Sequence, residues 1–139
     1  MTVTEYLQRP DKIRKEIARK RTRIESLRRF AARLTEPLQE VRVSSSPDPA
    51  RMQAFLSEAA DEEEGIARLQ QELERVLDET AIYLSFLPDE QMVRVLGLRY
   101  MEGLTWMEIA LRLDYHISAV YKIHRRALVL LPPPPEVPA

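Results

Sequence analysis

The sequence contains no cysteine, which excludes disulfide bonds and thiolate metal sites. The two histidines, His116 and His124, are too few to form a zinc site, so we expect no metal and no cofactor. Only three glycines occur, and none belongs to a phosphate-cradling loop. The acidic residues fall on helical faces or at capping positions, and no nucleophile has a neighbouring base. We therefore do not expect an enzyme.

Long hydrophobic runs are also missing. No apolar stretch approaches the roughly 20 residues that span a bilayer. The N-terminus lacks the basic-then-apolar order of a signal peptide. The sequence therefore predicts a cytoplasmic protein that does not bind membranes. The formal net charge of -1 says little about partners, but the distribution of charge says more.

Helical periodicity dominates what is present, and no long alternating pattern indicates a sheet. The sequence predicts an all-α protein in which residues 1-87 form a long antiparallel, coiled-coil-like helical hairpin. A linker at about 35-47 would join the two helices, with a short extended piece possible at Val41 to Val43. A C-terminal helix-turn-helix domain would follow at 88-131, and residues 132-139 would form a Pro-rich tail.

The first long helix is predicted from about Asp11 to Leu34, and the second is predicted to start at Asp48, with Asp48 as its N-cap. Apolar residues recur in both at alternating spacings of three and four, which is typical of a two-helix seam. Lys20 and Glu62 are the charged exceptions in this seam. Gly65 weakens the second helix and makes a break or bend near it possible. The second seam is longer than the first, and its surplus from Leu69 to Leu87 could pair with a second copy or pack on the C-terminal domain.

The two predicted helices carry opposite charge. Residues 11 to 34 include ten basic and three acidic residues, whereas 48 to 87 include ten acidic and three basic residues. One interpretation is that the helices pair and neutralise each other, with each exposed ion pair contributing little. The other is that the basic helix also contacts DNA phosphates, which attract such runs through counterion release.

The segment after Leu87 carries stronger local signals. Pro88 is predicted to open a helix, and Gly103 is placed to end it in a left-handed conformation. Thr105 and Glu108 have the spacing of a capping box for the next helix. Asp114 follows at a tight turn, where Asp tolerates a positive φ.

A further helix is predicted to begin near His116 or Ile117. Its inner face would be Val120, Ile123 and Ala127, and its outer face is polar and basic. Two short helices joined by a tight turn, with the second polar and basic outward, indicate a helix-turn-helix.

Three runs in this segment resemble the region-four domain of bacterial sigma factors: LRYMEGLTWMEIA from Leu98, LDY from Leu113 and VYKIHRRAL from Val120. His116 departs from that family, which usually has Ser or Thr as the N-cap at this place, so Ser118 is an alternative cap. The whole arrangement resembles phage transcriptional regulators of the RinA and ArpU type. The chain is too short for a complete sigma factor.

The resemblance implies site residues by position. Ile117, Ser118, Tyr121 and Lys122 would enter the major groove, where Lys122 could donate to guanine. Phosphates would be held by Arg125 and Arg126, and the DNA backbone would be touched by Thr105 and Trp106. Packing against the preceding helix is an alternative role for Trp106. We expect His124 to be exposed.

These features predict a sequence-specific regulator of transcription that binds double-stranded DNA, with late phage genes as the implied target. Residues 88 to 128 carry six basic and five acidic residues, so we expect weak binding by one protomer and a homo-oligomer, with a dimer favoured. A phage small terminase subunit is an alternative, which a closed ring of subunits would favour over a dimer. Another alternative is a sigma-like module that binds RNA polymerase.

Overall fold

The computed structural model describes residues 1–35 and 49–137, and every regular element in these ranges is a helix. The predicted all-α class is therefore confirmed. The Asp48 cap, the extended piece at Val41 to Val43 and nearly all of the 35-47 linker lie outside the described residues, as do the last two residues of the tail. No helix in the described part of the chain is long and apolar enough to cross a membrane.

The described residues form six α-helices and one π-helix. The helices, numbered in chain order with the π-helix between α4 and α5, are α1 Val3–Leu7, α2 Arg9–Thr35, α3 Pro49–Leu84, α4 Glu90–Leu96, the π-helix Gly97–Met101, α5 Trp106–Leu113 and α6 Ile117–Leu130.

Packing divides the chain into two compact units. The head unit comprises Met1–Arg14 with Glu72–Ala139, and the paired-helix unit comprises Lys15–Gln71. These boundaries differ from the predicted division at residue 87. The difference arises because α1 and the last turns of α3 bury their apolar residues in the same cluster as the C-terminal helices.

In the paired-helix unit, the long helices α2 and α3 pack together. Ile24, Leu27 and Ala59 are buried, and Phe55 and Ile66 pack against them. Ion pairs join the two helices, among them Lys20 with Glu62 and Arg23 with Glu58.

The two charged exceptions in the seam contact each other. The Nζ of Lys20 lies 3.1 Å from Glu62 Oε2, and both side chains are about three-quarters buried. A Cβ built at Gly65 would lie 3.2 Å from Cε of Lys20. Helix α3 is helical throughout Pro49–Leu84, so the break considered at Gly65 does not occur. The glycine instead leaves room for the lysine stem.

The head unit has the larger core. Helix α1, which the periodicity of the sequence does not predict, is a five-residue helix capped by Thr2. It brings Tyr6 edge-on to Tyr83 of α3, with ring centroids 4.8 Å apart. The surplus seam at the end of α3 therefore packs within the head unit. The residues buried in this cluster are Tyr6, Leu7, Tyr83, Leu84, Leu87, Met92, Val95, Leu96, Tyr100, Ile109, Ala110, Val120, Ala127 and Leu131.

Helix α4 begins later than predicted. Asp89 is its N-cap and accepts a hydrogen bond from the backbone N–H of Gln91, so the predicted start at Pro88 is wrong by two residues. In α4 and the π-helix, Met92, Val95, Leu96 and Tyr100 are buried, whereas Leu98 is half-buried.

Candidate nucleic-acid interface

The segment that leads into α5 is fixed by backbone and arginine contacts. The π-helix ends with the N–H of Glu102 donating to Gly97 O over 3.1 Å. The guanidinium of Arg14 donates to Met101 O, and Arg99 Nη1 donates to Leu104 O over 3.0 Å. Gly103 has φ +74°, which confirms the left-handed conformation predicted for it. The start of α5 is thereby held against the helices before it.

Helix α5 begins with the capping box that the sequence predicts. Thr105 Oγ1 accepts from the N–H of Glu108, and a Glu108 carboxylate oxygen accepts from the N–H of Thr105, both over 3.2 Å. Hydrogen bonds that the Glu108 carboxylate accepts from the side chain and the backbone N–H of Thr105 lower the pKa of Glu108. The Thr105 hydroxyl is thus committed to the start of the helix.

A three-residue turn, 114–116, joins α5 to α6. Asp114 ends α5 with φ 56° and ψ 44°, in the left-handed region that its position predicts. The N–H of Tyr115 then donates to Ala110 O over 2.9 Å. His116 is the N-cap of α6, because its Nδ1 accepts from the N–H of Ser118 over 3.2 Å. The alternative cap, Ser118, is not used. Its hydroxyl lies 2.8 Å from the same His116 nitrogen.

Helix α6 has one buried and one exposed face. Val120 and Ala127 are fully buried in the head core. On the opposite side, Lys122, Arg125 and Arg126 are exposed. The hydrogen bonds and ion pairs seen among the described residues do not involve these three side chains. The helix therefore presents a cationic surface whose charges are available to a ligand.

Aromatic and polar side chains support this surface from α5 and the π-helix. Trp106 lies 5.5 Å from the ring of Tyr121 and 4.5 Å from that of His124, measured between centroids. The guanidinium of Arg99 lies over the Trp106 ring, 4.4 Å from its centroid. Trp106 is half-buried by these contacts, so it packs against both the preceding π-helix and α6.

The expectation that His124 is exposed is wrong. Its ring is half-buried, and its Nε2 lies 2.6 Å from the hydroxyl of Tyr100. Burial lowers the pKa of His124, and the nearby charges of Arg99 and Arg125 lower it further. Burial raises the pKa of Tyr100. The missed contact joins residues 24 positions apart, which no local pattern of the sequence indicates.

The eight predicted site residues do not share one environment. Ser118, Tyr121, Lys122, Arg125 and Arg126 are exposed on α6. Ile117 is half-buried and packs against the head core, which takes up much of its side chain. Thr105 and Trp106 lie at the start of α5, with Trp106 in direct contact with Tyr121. Contact of any of them with DNA stays a prediction.

Comparisons with protein-family models, with curated proteins and with solved structures found no match to the chain. A function is therefore inferred from the geometry of α5, the turn and α6. In the described residues no group of three or more His, Asp or Glu side chains could hold a metal ion.

Proposed function

We propose that this protein is a sequence-specific DNA-binding regulator of transcription. In this proposal α5 and α6 form a helix-turn-helix, and α6 enters the major groove with Ser118, Tyr121 and Lys122 toward the bases. Helices α2 and α3 form a coiled-coil-like hairpin. The resemblance to phage regulators suggests late phage genes as the target.

The observation that carries the proposal is the exposed face of α6. Lys122 and Arg125 are exposed, whereas Val120 and Ala127, on the other side of the helix, are fully buried. Lys122 can donate to guanine O6 or N7, and Arg125 can hold a phosphate. A basic face on a helix that the core fixes in place suits a rigid reader of the groove.

The turn gives independent support. The left-handed Asp114 and the His116 cap produce an abrupt change of direction between α5 and α6 within three residues. Tyr121 is backed by the Trp106 ring, which reduces the side-chain freedom that DNA binding would have to remove. Both features preorganise the surface that would face DNA.

The proposal includes a homo-oligomer, with a dimer preferred. The segment from 88 to 128 has an excess of only one positive charge, which is small for a protein that binds DNA as a single unit. Two heads on one DNA molecule would bind more tightly through their effective concentration.

The experiment is selection of bound duplexes from a random pool with the full chain, followed by affinity measurements on the selected site. The variant is Lys122→Ala with Arg125→Ala. We expect affinity to fall by about tenfold or more, since a good base contact alone contributes about 1–3 kcal/mol. The matched control is Arg68→Ala with Arg94→Ala, which removes two exposed charges from α3 and α4.

Two outcomes contradict the proposal. One is a pool that yields no enriched sequence. The other is an α6 variant that keeps its helical circular dichroism and binds the selected site as tightly as the control. Light scattering on the same samples reports the oligomeric state, and a closed ring would favour the packaging alternative over regulation.

A further inference from the structure

A second basic surface lies on α2 within the paired-helix unit. The positions 15, 19, 22, 26, 29 and 33 alternate in steps of four and three, so they follow one face of the helix. We call these six residues the basic stripe. None is acidic and none is a large apolar residue. They are Lys15, Arg19, Thr22, Ser26, Arg29 and Arg33.

The basic stripe faces away from α3. The buried residues of α2 in this unit are Ile17, Ile24, Leu27 and Ala31. Stripe positions 15, 22 and 29 each precede a buried position by two residues, which is about 200° around a helix. All four basic residues of the stripe are exposed.

Three ion pairs that join α2 to the acidic helix α3 in this unit use other basic residues. They involve Lys20, Arg23 and Arg28, none of which belongs to the stripe. Arg19 pairs with Glu16 of its own helix at 2.6 Å, and the Arg19 side chain is largely exposed. Such an exposed pair contributes only about 0.2–1 kcal/mol and is readily exchanged for a phosphate.

We propose that the basic stripe is a second DNA-binding surface, which contacts the phosphate backbone and reads no sequence. This inference rests on the proposed function. From residue 15 to residue 33 the helix rises about 27 Å, which is most of the roughly 34 Å of one turn of B-DNA. Cationic side chains along this length would release counterions from the duplex. The binding free energy gained in this way would add to that of the weakly charged head unit.

The composition of the basic stripe favours nucleic acid over two other kinds of partner, a membrane surface and a protein. A helix that lies on a membrane needs a broad apolar face, and the stripe has none. A stable protein interface is centred on apolar or aromatic anchors, which the stripe also lacks. The nearest large apolar side chain, Phe30, is a single residue that is 53% exposed, and its ring lies 5.9 Å from that of Phe55 of α3.

The test uses the full chain with Arg19→Gln, Arg29→Gln and Arg33→Gln, and a matched control with Arg21→Gln, Arg68→Gln and Arg94→Gln. Each set removes three exposed arginines, and in each set one arginine pairs with a glutamate of its own helix. Affinity for the selected site and for unrelated duplex is measured across a range of salt concentrations.

We expect the stripe variant to lower the slope of log affinity against log salt by up to about 2.7, at about 0.9 for each phosphate that an arginine no longer neutralises. The fall in affinity should be the same on both duplexes, because phosphate contacts carry no sequence information. The control should keep the wild-type slope.

An unchanged slope in the stripe variant, or an equal fall in the control, overturns the inference. Neither result affects the proposed function, which the Lys122 and Arg125 variant tests separately by preference for the selected site. Reduced binding to vesicles of phosphatidylserine with unchanged DNA binding also overturns the inference, since it assigns the stripe to a membrane surface.

Discussion

The two units of the molecule are stabilised in different ways. In the head unit, a continuous cluster of large apolar side chains from α1, α3, α4, the π-helix, α5 and α6 is buried. In the paired-helix unit, the described buried cluster is much smaller and consists of Ile24, Leu27 and Ala59, whereas three ion pairs join α2 to α3. Burial of apolar side chains therefore stabilises the head unit, whereas ion pairs determine how α2 and α3 align in the paired-helix unit.

This difference bears on function. The candidate interface on α6 lies in the unit with the larger core, where close packing restricts side-chain positions. The basic stripe lies in the unit with the smaller core, where phosphate binding tolerates an approximate fit. The following experiments test the two units, from the largest expected effect to the smallest.

The largest effect on stability is expected from truncating a buried isoleucine in each of the two cores. Ile109 is fully buried in the head and Ile24 is nearly so in the paired helices. We expect Ile109→Ala to lower the free energy of unfolding by about 2–5 kcal/mol, and Ile24→Ala to cost less because its small cluster can collapse around the cavity. Urea unfolding gives the energies, and hydrogen exchange locates the weakened region.

Faster exchange confined to the head in Ile109→Ala, and to the paired helices in Ile24→Ala, would support separate units. An equal loss of stability in both variants, with exchange raised throughout the chain, would mean that the contrast between the cores is wrong.

An intermediate effect is expected from the seam pair of Lys20 and Glu62. Glu62→Leu leaves the largely buried Lys20 ammonium without its partner, and we expect a loss of about 1–3 kcal/mol. Adding Lys20→Met should recover most of it, since an apolar pair often replaces a buried ion pair without cost. Urea unfolding of both single variants and the double variant gives the coupling energy.

A second ion pair between the same helices provides a comparison for this coupling energy. Arg23 and Glu58 form a more exposed ion pair between the same helices, and their cycle should give only about 0.2–1 kcal/mol. Equal coupling energies in the two cycles would show that burial of the seam pair has no energetic consequence.

The smallest effect is expected from pH. Because the pKa of His124 is lowered from its ordinary 6.5, the unfolded chain binds this proton before the folded head does. Stability from this residue is present above pH 6.5 and falls as the pH drops toward the lowered folded value. The free energy of unfolding between about pH 7.5 and 5.5 should therefore decline less in His124→Gln than in the wild type.

The control is Arg68→Gln, which removes an exposed charge from α3 and leaves both histidines in place. It should keep the wild-type decline. An identical decline in His124→Gln and the wild type would mean that burial of His124 does not govern its titration.

Local signals in the sequence predicted the local structure of the head well. The capping box of Thr105 and Glu108 forms as predicted, and so do the left-handed conformations of Gly103 and Asp114. Each of these features depends on neighbours within a few residues. The helical periodicity predicted α2 and α3 for the same reason. The predicted bounds of α2 are within two residues of those observed, whereas α3 ends at Leu84, three residues before the end of its predicted seam at Leu87.

Contacts between distant segments could not be predicted in this way. Helix α1 is only five residues long, and it is placed by packing against Tyr83 and by its link to α2. The seam charges Lys20 and Glu62 were recognised separately, but pairing them required the register of two helices. The bond between His124 and Tyr100 depends on how α6 crosses the π-helix, so the polar support of the candidate interface was missed.

The central claim is that α6 reads the major groove. The most direct measurement is dimethyl sulfate footprinting of the full chain on its selected site, because this reagent methylates guanine N7 in the major groove and adenine N3 in the minor groove. We expect protection of guanine N7 that disappears at one base in Lys122→Ala and is retained in Arg94→Ala. Protection of adenine N3 alone, or a guanine pattern that Lys122→Ala leaves unchanged, would contradict the account.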